Sequence, residues 1–329
     1  MLGLALAASN VPYMYRPRST WQTLYDSQTT EGIPPPNELA QETDADQDQH
    51  AARIEAGFKA LRAQIDAYRP DVLVVLGYDD GTCFSGVQVP QLCTYTGSEI
   101  TGSTAVELLG EKPEDHNVTF RCNPEFAWEF HRELVDREFD LNYMAMQNPR
   151  GKPEMGTSSA FTRPLQKLLE GLTLPVVPFF INCHVEPTPT AHRIHALGTA
   201  MGEVLEEMPG KYAILAVGGL SHDPNGDRAG WIDNRLDQWV LDRMAKGDVS
   251  RLKTLFDVDS DTTRGGTGQI RTWIAAGAAM EAAALERGMT KAITTATGTR
   301  YRGVGATVVD YIPSLHTMTG IGFAYYNLG

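Results

Sequence analysis

Residues 212–217 read YAILAV, and residues 218–223 follow at once as GGLSHD. A short unbroken apolar run bounded by turn residues is the pattern of a strand buried on both faces, as in a parallel sheet. Residues 72–77, VLVVLG, repeat that pattern and end in Tyr78-Asp79-Asp80-Gly81. Working outward, helical and strand-like stretches alternate. The spacing of Ile54, Phe58, Leu61 and Ile65 predicts a helix over 51–68, and residues 38–50 before it, acidic and amide-rich, read as a loop or a helix start. Helices are expected over 124–137, 157–170 and 190–208, and strands over 2–8, 141–146 and 175–181. A last helix runs to about Leu285, and strand-like stretches close the chain at 306–310 and 320–326. This alternation predicts an α/β fold, a central mostly parallel or mixed sheet flanked by helices. With no repeat, low-complexity tract or clear linker, residues 1–329 are expected to form one domain.

The bulk numbers exclude several classes. A net charge of -13 argues against nucleic-acid binding, which needs a positive footprint, while leaving room for a locally basic pocket. No run reaches the roughly 18 apolar residues of a membrane helix. The opening MLGLALAASN lacks a basic leader segment and is read as a buried first strand. Cys83, Cys93, Cys122 and Cys183 form no CxxC pair, so we expect reduced thiols and a cytoplasmic protein.

Four constellations carry chemistry. His222 follows a strand and a glycine pair, where open α/β sheets bind ligands, and imidazole suits proton transfer near neutral pH. A loop histidine beside a capping Ser221 explains the spacing equally well. Asp79-Asp80-Gly81 offers paired carboxylates, but the same triplet is ordinary turn chemistry, which composition favours. Gly265-Gly266-Thr267-Gly268 lacks the Lys-Ser/Thr and the preceding strand of a phosphate loop, so it reads as a glycine-rich lead into a helix. His184, His192 and His195 lie near Glu186, but the segment is proline-rich and the helical pair is three apart, so no metal site is expected there.

In order, these segments resemble the class III extradiol ring-cleavage dioxygenases, the protocatechuate 4,5-dioxygenase beta-subunit superfamily. Ala8-Ser9-Asn10 with Pro12 is similar to an opening Ser-His-x-Pro, and VLVVLGYDDG to a strand ending in Asn-Asp-His. Asn123-Pro124-Glu125-Phe126-Ala127 is similar to a His-Pro-x-Leu-Ala helix start. Residues 218–222 match Gly-Gly-x-Ser-His, and Gln269-Ile270-Arg271-Thr272-Trp273 resembles the helix led by the Glu ligand. The resemblance implies a catechol-opening fold with Fe(II) on two His and one Glu. It also implies that those ligands are replaced here by Asn10, Gly81 and Gln269, and a further site His by Asn123.

The resulting expectation is a metal-independent enzyme without a cofactor, acting on a phenolic small molecule as a C–C lyase, decarboxylase, hydrolase or tautomerase. His222 is its acid–base residue, with Asp80 or Tyr78 as the second proton handler. Asn10, Gly81, Asn123, His184, Gly219, Ser221 and Gln269 are expected to line the substrate, and Arg163, Arg193 or Arg271 to hold a carboxylate. One alternative is an Fe(II) dioxygenase with Asp80 and one of His184, His192 or His222 as replacement ligands. Another is a non-catalytic subunit of a dioxygenase complex. The oligomeric state is not legible from the residues, and the resemblance implies a homo-oligomer, a homodimer or larger assembly.

Overall fold

The computed structural model describes residues 1–147, 149–258, 260–295 and 298–329. Strands, in chain order, are β1 (Leu2–Ala8), β2 (Val72–Gly77), β3 (Leu92–Tyr95), β4 (Glu99–Ser103), β5 (Asn117–Arg121) and β6 (Asn142–Met144). They continue as β7 (Val176–Ile181), β8 (Tyr212–Val217), β9 (Lys291–Thr295), β10 (Gly298–Arg302), β11 (Thr307–Ser314) and β12 (Thr319–Asn327). The α-helices are α1 (Trp21–Gln28), α2 (Asp44–Tyr68), α3 (Pro124–Asp136), α4 (Ser159–Leu168), α5 (Ala191–Glu207), α6 (Asn234–Ala245) and α7 (Ile270–Glu286).

Eight strands form one mixed sheet in the order β11-β12-β1-β8-β2-β7-β3-β6. The central four, β1, β8, β2 and β7, are parallel to one another. Their residues are buried throughout, which is why they read as unbroken apolar runs. The antiparallel β12 joins β1, so the chain's last strand completes the sheet that its first one begins. Helices cover both faces. Successive residues of β12 point opposite ways: Phe323 packs its ring 5.2 Å from Phe58 of α2, while Gly322 lies against Trp273 of α7.

Helix α7 reaches the site because it lies unusually close to α5. A Cβ built on Gly198 or Gly202 would stand 2.2 Å from the Ala275 carbonyl oxygen or 2.3 Å from that of Ala279, so only glycine permits the approach. The helix α2 begins at Asp44, earlier than its apolar spacing shows. Thr43 and Asp46 form a reciprocal capping box there, so the acidic stretch is the helix's first turn. The sequence reading did not register β3, the small hairpins or α6. Among the described residues, no helix is long and apolar enough to cross a membrane.

Candidate active site

The carboxyl ends of the four central strands gather the candidate residues. Asn10 lies two residues past β1, Tyr78 directly past β2, His184 past β7 and His222 past β8. Gln269 arrives from the other direction, as the residue before α7.

These side chains are wired together. Asn10 Nδ2 donates to the Tyr78 hydroxyl at 3.1 Å, and that hydroxyl donates to the Asn10 carbonyl at 3.3 Å. Tyr78 meets His184 edge to face, ring centroids 5.0 Å apart. Gln269 Oε1 accepts from the Gly219 N–H at 2.8 Å, which leaves its amide nitrogen to donate to His184 Nε2 at 3.2 Å. His184 therefore carries its proton on Nδ1, directed at the Gly265 backbone. Its side chain opens onto a cavity of about 570 Å³ lined also by Cys183, Gly265 and Arg271. Dense protein nonetheless surrounds the ring. Desolvation, reinforced by the Arg271 charge, outweighs the attraction of Asp80 and lowers its pKa to about 4.

His222 has the same tautomer and a different exposure of its lone pair. Its Nδ1 donates to the Leu220 carbonyl at 2.9 Å, while Nε2 has no protein partner among the described residues. Desolvation, with a smaller push from His184, lowers its pKa to about 4, so at neutral pH the ring is uncharged with Nε2 ready to accept a proton. A Cβ on Gly266 would stand 2.0 Å from that nitrogen, so glycine keeps it uncovered.

The loop bearing His222 is held from beneath. Ser221 donates its N–H and hydroxyl to the two oxygens of Asp237, at 2.8 and 2.7 Å, and accepts from the Asp233 N–H at 2.8 Å. The Tyr311 hydroxyl adds a third bond to Asp237, whose carboxyl burial pushes up to about 7. Ser9 Oγ accepts the N–H groups of Leu220 and Gly322 at 3.1 and 2.9 Å. Sequence reasoning assigned Asp237 no role because the Gly- and Asp-rich stretch before it hid α6. The usable signal was Asp233 as a cap ahead of Leu236, Val240, Leu241 and Met244.

Three expected substrate contacts, Ser221, Asn123 and Gly81, are corrected. Ser221 is fully engaged by Asp233 and Asp237, which makes it a positioning residue. Asn123 caps α3, its side chain accepting from the Phe126 N–H at 3.1 Å. The neighbouring Cys122 bridges Val176, the first residue of β7, and Phe126 packs 4.9 Å from Tyr212, the first of β8. Asn123 thus sits at the sheet's amino edge, a strand length of roughly 20 Å from His184.

The carboxylates after β2 divide their work. Asp79 closes the turn, accepting the N–H groups of Gly81, Cys83 and Phe84. Asp80 is gripped by the Ser158 and Ser159 hydroxyls at 3.0 and 2.8 Å and acts electrostatically on Tyr78 and His184. Burial raises the Tyr78 hydroxyl well above its ordinary range, so it stays a proton donor. Gly81 is exposed with left-handed φ of 88° and faces a separate small hollow with Phe84 and Phe180. His192 lies 3.9 Å from Asp257, which lines the His184 cavity, and His195 lies 3.7 Å from Glu281.

The donors do not suit Fe(II). Among the described residues, no group of three or more His, Cys, Asp or Glu is arranged to hold a metal ion. His184 spends its lone pair on Gln269, Gln269 spends its oxygen on Gly219, and the Asn10 Oδ1, buried without a partner, is a neutral amide oxygen. Ferrous iron favours imidazole and carboxylate. The four cysteines are free and buried, and burial pushes the Cys183 thiol beside His184 up to about 12, so it is not a thiolate ligand.

Residues 34–307 match the family described as the catalytic LigB subunit of aromatic ring-opening dioxygenase, and the chain belongs to that family. It is 28% identical over 179 residues to the 2,3-dihydroxyphenylpropionate/2,3-dihydroxicinnamic acid 1,2-dioxygenase 2 of Pseudomonas putida, covering 54% of this chain and 52% of that one. The similarly named enzyme of Photorhabdus laumondii is 28% identical over 185 residues, covering 56% and 53%. The chain thus spans about half the length of these curated relatives. A Rhodococcus enzyme of the same name is 24% identical over 278 residues, covering 70% and 82%. The crystal structure of an uncharacterized Escherichia coli K12 protein shares the fold, with TM-score 0.50 and 12% identity over 98% of this chain and 99% of that one.

Proposed function

We propose that this LigB-family protein is a metal-independent acid–base enzyme acting on a phenolic small molecule, with His222 moving the proton. The observation that carries this is the state of His222: neutral, oriented through Nδ1 to Leu220, with Nε2 unpartnered beside donors ill-suited to iron. Nε2 takes the phenolic proton and returns it to a ring carbon or leaving group as the carbonyl tautomer forms or collapses. Lyase, decarboxylase, hydrolase and tautomerase chemistry share that step. Tyr78, always protonated, turns its one O–H from the Asn10 carbonyl to the developing oxyanion while still accepting from Asn10 Nδ2, and Asp80 stabilises the imidazolium.

Magnitude sets a condition on the step. A base of pKa about 4 facing an ordinary phenol near 10 is mismatched by roughly six units, on the order of 8 kcal/mol. The bound substrate must therefore narrow the gap, by an acidic phenol or by negative charge that raises the histidine.

The competing reading is Fe(II)-dependent ring opening with dioxygen. It is favoured by the family match and by the relatives' names. Anaerobic Fe(II) loading, desalting and metal analysis by mass spectrometry separate the two. The proposal expects less than stoichiometric iron and phenol turnover without oxygen. Stoichiometric iron with strictly oxygen-dependent turnover overturns it.

A further inference from the structure

We propose that the cleft between α2, α4, β5 and the turn after β1 is a second small-molecule site, holding an organic anion with a flat apolar body against Arg163. It stands apart from the candidate active site and does not rest on the reading above. Its volume is about 950 Å³, within the range of ligand sites. Tyr13, Met14, Trp21, Ile54, Phe120 and Leu169 give it an aromatic and aliphatic lining. None of Tyr78, His184, His222 or Gln269 lines it, so a ligand here is bound without being turned over.

Six charged side chains line the cleft, Arg16, Arg18, Arg163 and Lys167 against Glu55 and Glu170. Three of the four cations are paired. Glu111 holds Arg16 bidentately, Arg18 meets Asp44 and Asp48 at 3.0 and 2.7 Å, and Lys167 meets Glu55 at 2.7 Å. Glu170 is exposed to solvent. Arg163 differs from the other cations. It is 9% exposed, with Nε donating to the Thr104 carbonyl at 3.2 Å and Nη2 to that of Ala105. Nη1 has no protein partner among the described residues and is not sealed from the cleft that the residue lines. The acid that acts on Arg163 is Asp80, which does not line the cleft and whose oxygens already accept from Ser158 and Ser159.

Arg16 Nη2 also donates to the Thr104 carbonyl, at 3.0 Å, so two guanidinium groups converge on one oxygen beside the cleft. The Tyr15 hydroxyl, within the field of Arg163, is buried with no partner. A local excess of positive charge with a free donor edge attracts an anion, even in a chain of net charge -13. Because Nε and Nη2 are spent on carbonyls, the fork that favours a carboxylate is broken. The headgroup is therefore recognised by charge at Nη1, and the body by the aromatic lining.

The test is calorimetric titration of the full chain with naphthalene-2-sulfonate and naphthalene-2-sulfonamide, which share a body and differ in charge. The sulfonate is expected to bind about 10-fold or more tightly, the worth of a charged hydrogen bond. Arg163→Met should abolish that preference with circular dichroism unchanged. Gln166→Glu adds a carboxylate at an exposed position of the lining, three residues from Arg163. It should cut sulfonate affinity about 3-fold and leave the sulfonamide alone. Binding of neither probe, equal binding of both, or a preference surviving in folded Arg163→Met overturns the site. If Arg163→Met does not fold, Gln166→Glu decides: an unchanged sulfonate affinity overturns the proposal and a selective loss supports it. Arg271→Met should keep the preference, and its loss there would put the probe in the His184 cavity and overturn the assignment. No reading depends on turnover, so failure of this site and failure of the acid–base chemistry are separate results.

Discussion

The loop after β7 and the loop after β8 each present one neutral imidazole to the same site, yet they are built for different work. Both rings carry the proton on Nδ1 and both have a pKa lowered to about 4 by burial. His184 gives its Nε2 lone pair to the Gln269 amide, whereas His222 keeps its own unpartnered under Gly266. Equally lowered pKa values therefore do not mean equal chemistry: the hydrogen-bond partner decides which imidazole is free to take a proton.

The largest effect that tests this contrast is removal of each ring in turn. His222→Ala should cost about 10²–10⁴ in kcat, the usual worth of a general base, with circular dichroism unchanged. His184→Ala should cost less and fall mainly on KM. Equal losses in kcat would break the division of labour. Next is Gly266→Ala, whose methyl would stand 2.0 Å from His222 Nε2. It should remove most of the turnover and destabilise by about 1–3 kcal/mol, read by denaturant unfolding. Wild-type turnover in that variant would show that Nε2 is not the reacting atom.

The pH profile sharpens the comparison further. A base role for His222 requires the unprotonated ring, so on that proposal the acid limb of kcat/KM, which reports the free enzyme, should fall near pH 4. The limb of kcat should lie higher, because the bound anion raises the histidine. For stability the signs differ between groups. Both histidines are depressed, so the unfolded chain binds more protons between about 4 and the ordinary ~6.5, and their contribution is lost as pH falls through that window. Asp237, raised to about 7, acts oppositely, its contribution being lost as pH rises toward 7. The smallest effect is local. Gln269→Glu cannot donate to His184 Nε2, so that nitrogen should take up a proton and the pKa of His184 should rise in an NMR titration. An unchanged value would refute the tautomer assigned to His184.

Much of this was legible in the chain. Residues 2–8 and 212–217 lie as strands where their apolar runs place them, because a strand buried on both faces must be apolar at every position. The motif after β8 marked His222, since a strand end followed by glycines is a local feature. The motifs by which Asn10 and Gln269 resemble ligand positions were equally local. What the chain alone did not reveal is pairing across distance. Asn123 looked like a site residue by motif and lies at the opposite edge of the sheet, because a capping side chain reads the same wherever its helix begins. Ser221 looked available until Asp237 arrived from α6. The three arginines were equivalent until folding placed Arg271 in the cavity of His184. Sequence by itself determined the buried central strands and the fold class, and marked His222 as the candidate imidazole, since burial and turn chemistry act between near neighbours. Tertiary structure alone decided which imidazole lone pair is free and which side chains share the His184 cavity, since hydrogen bonds and packing join residues that the chain keeps far apart.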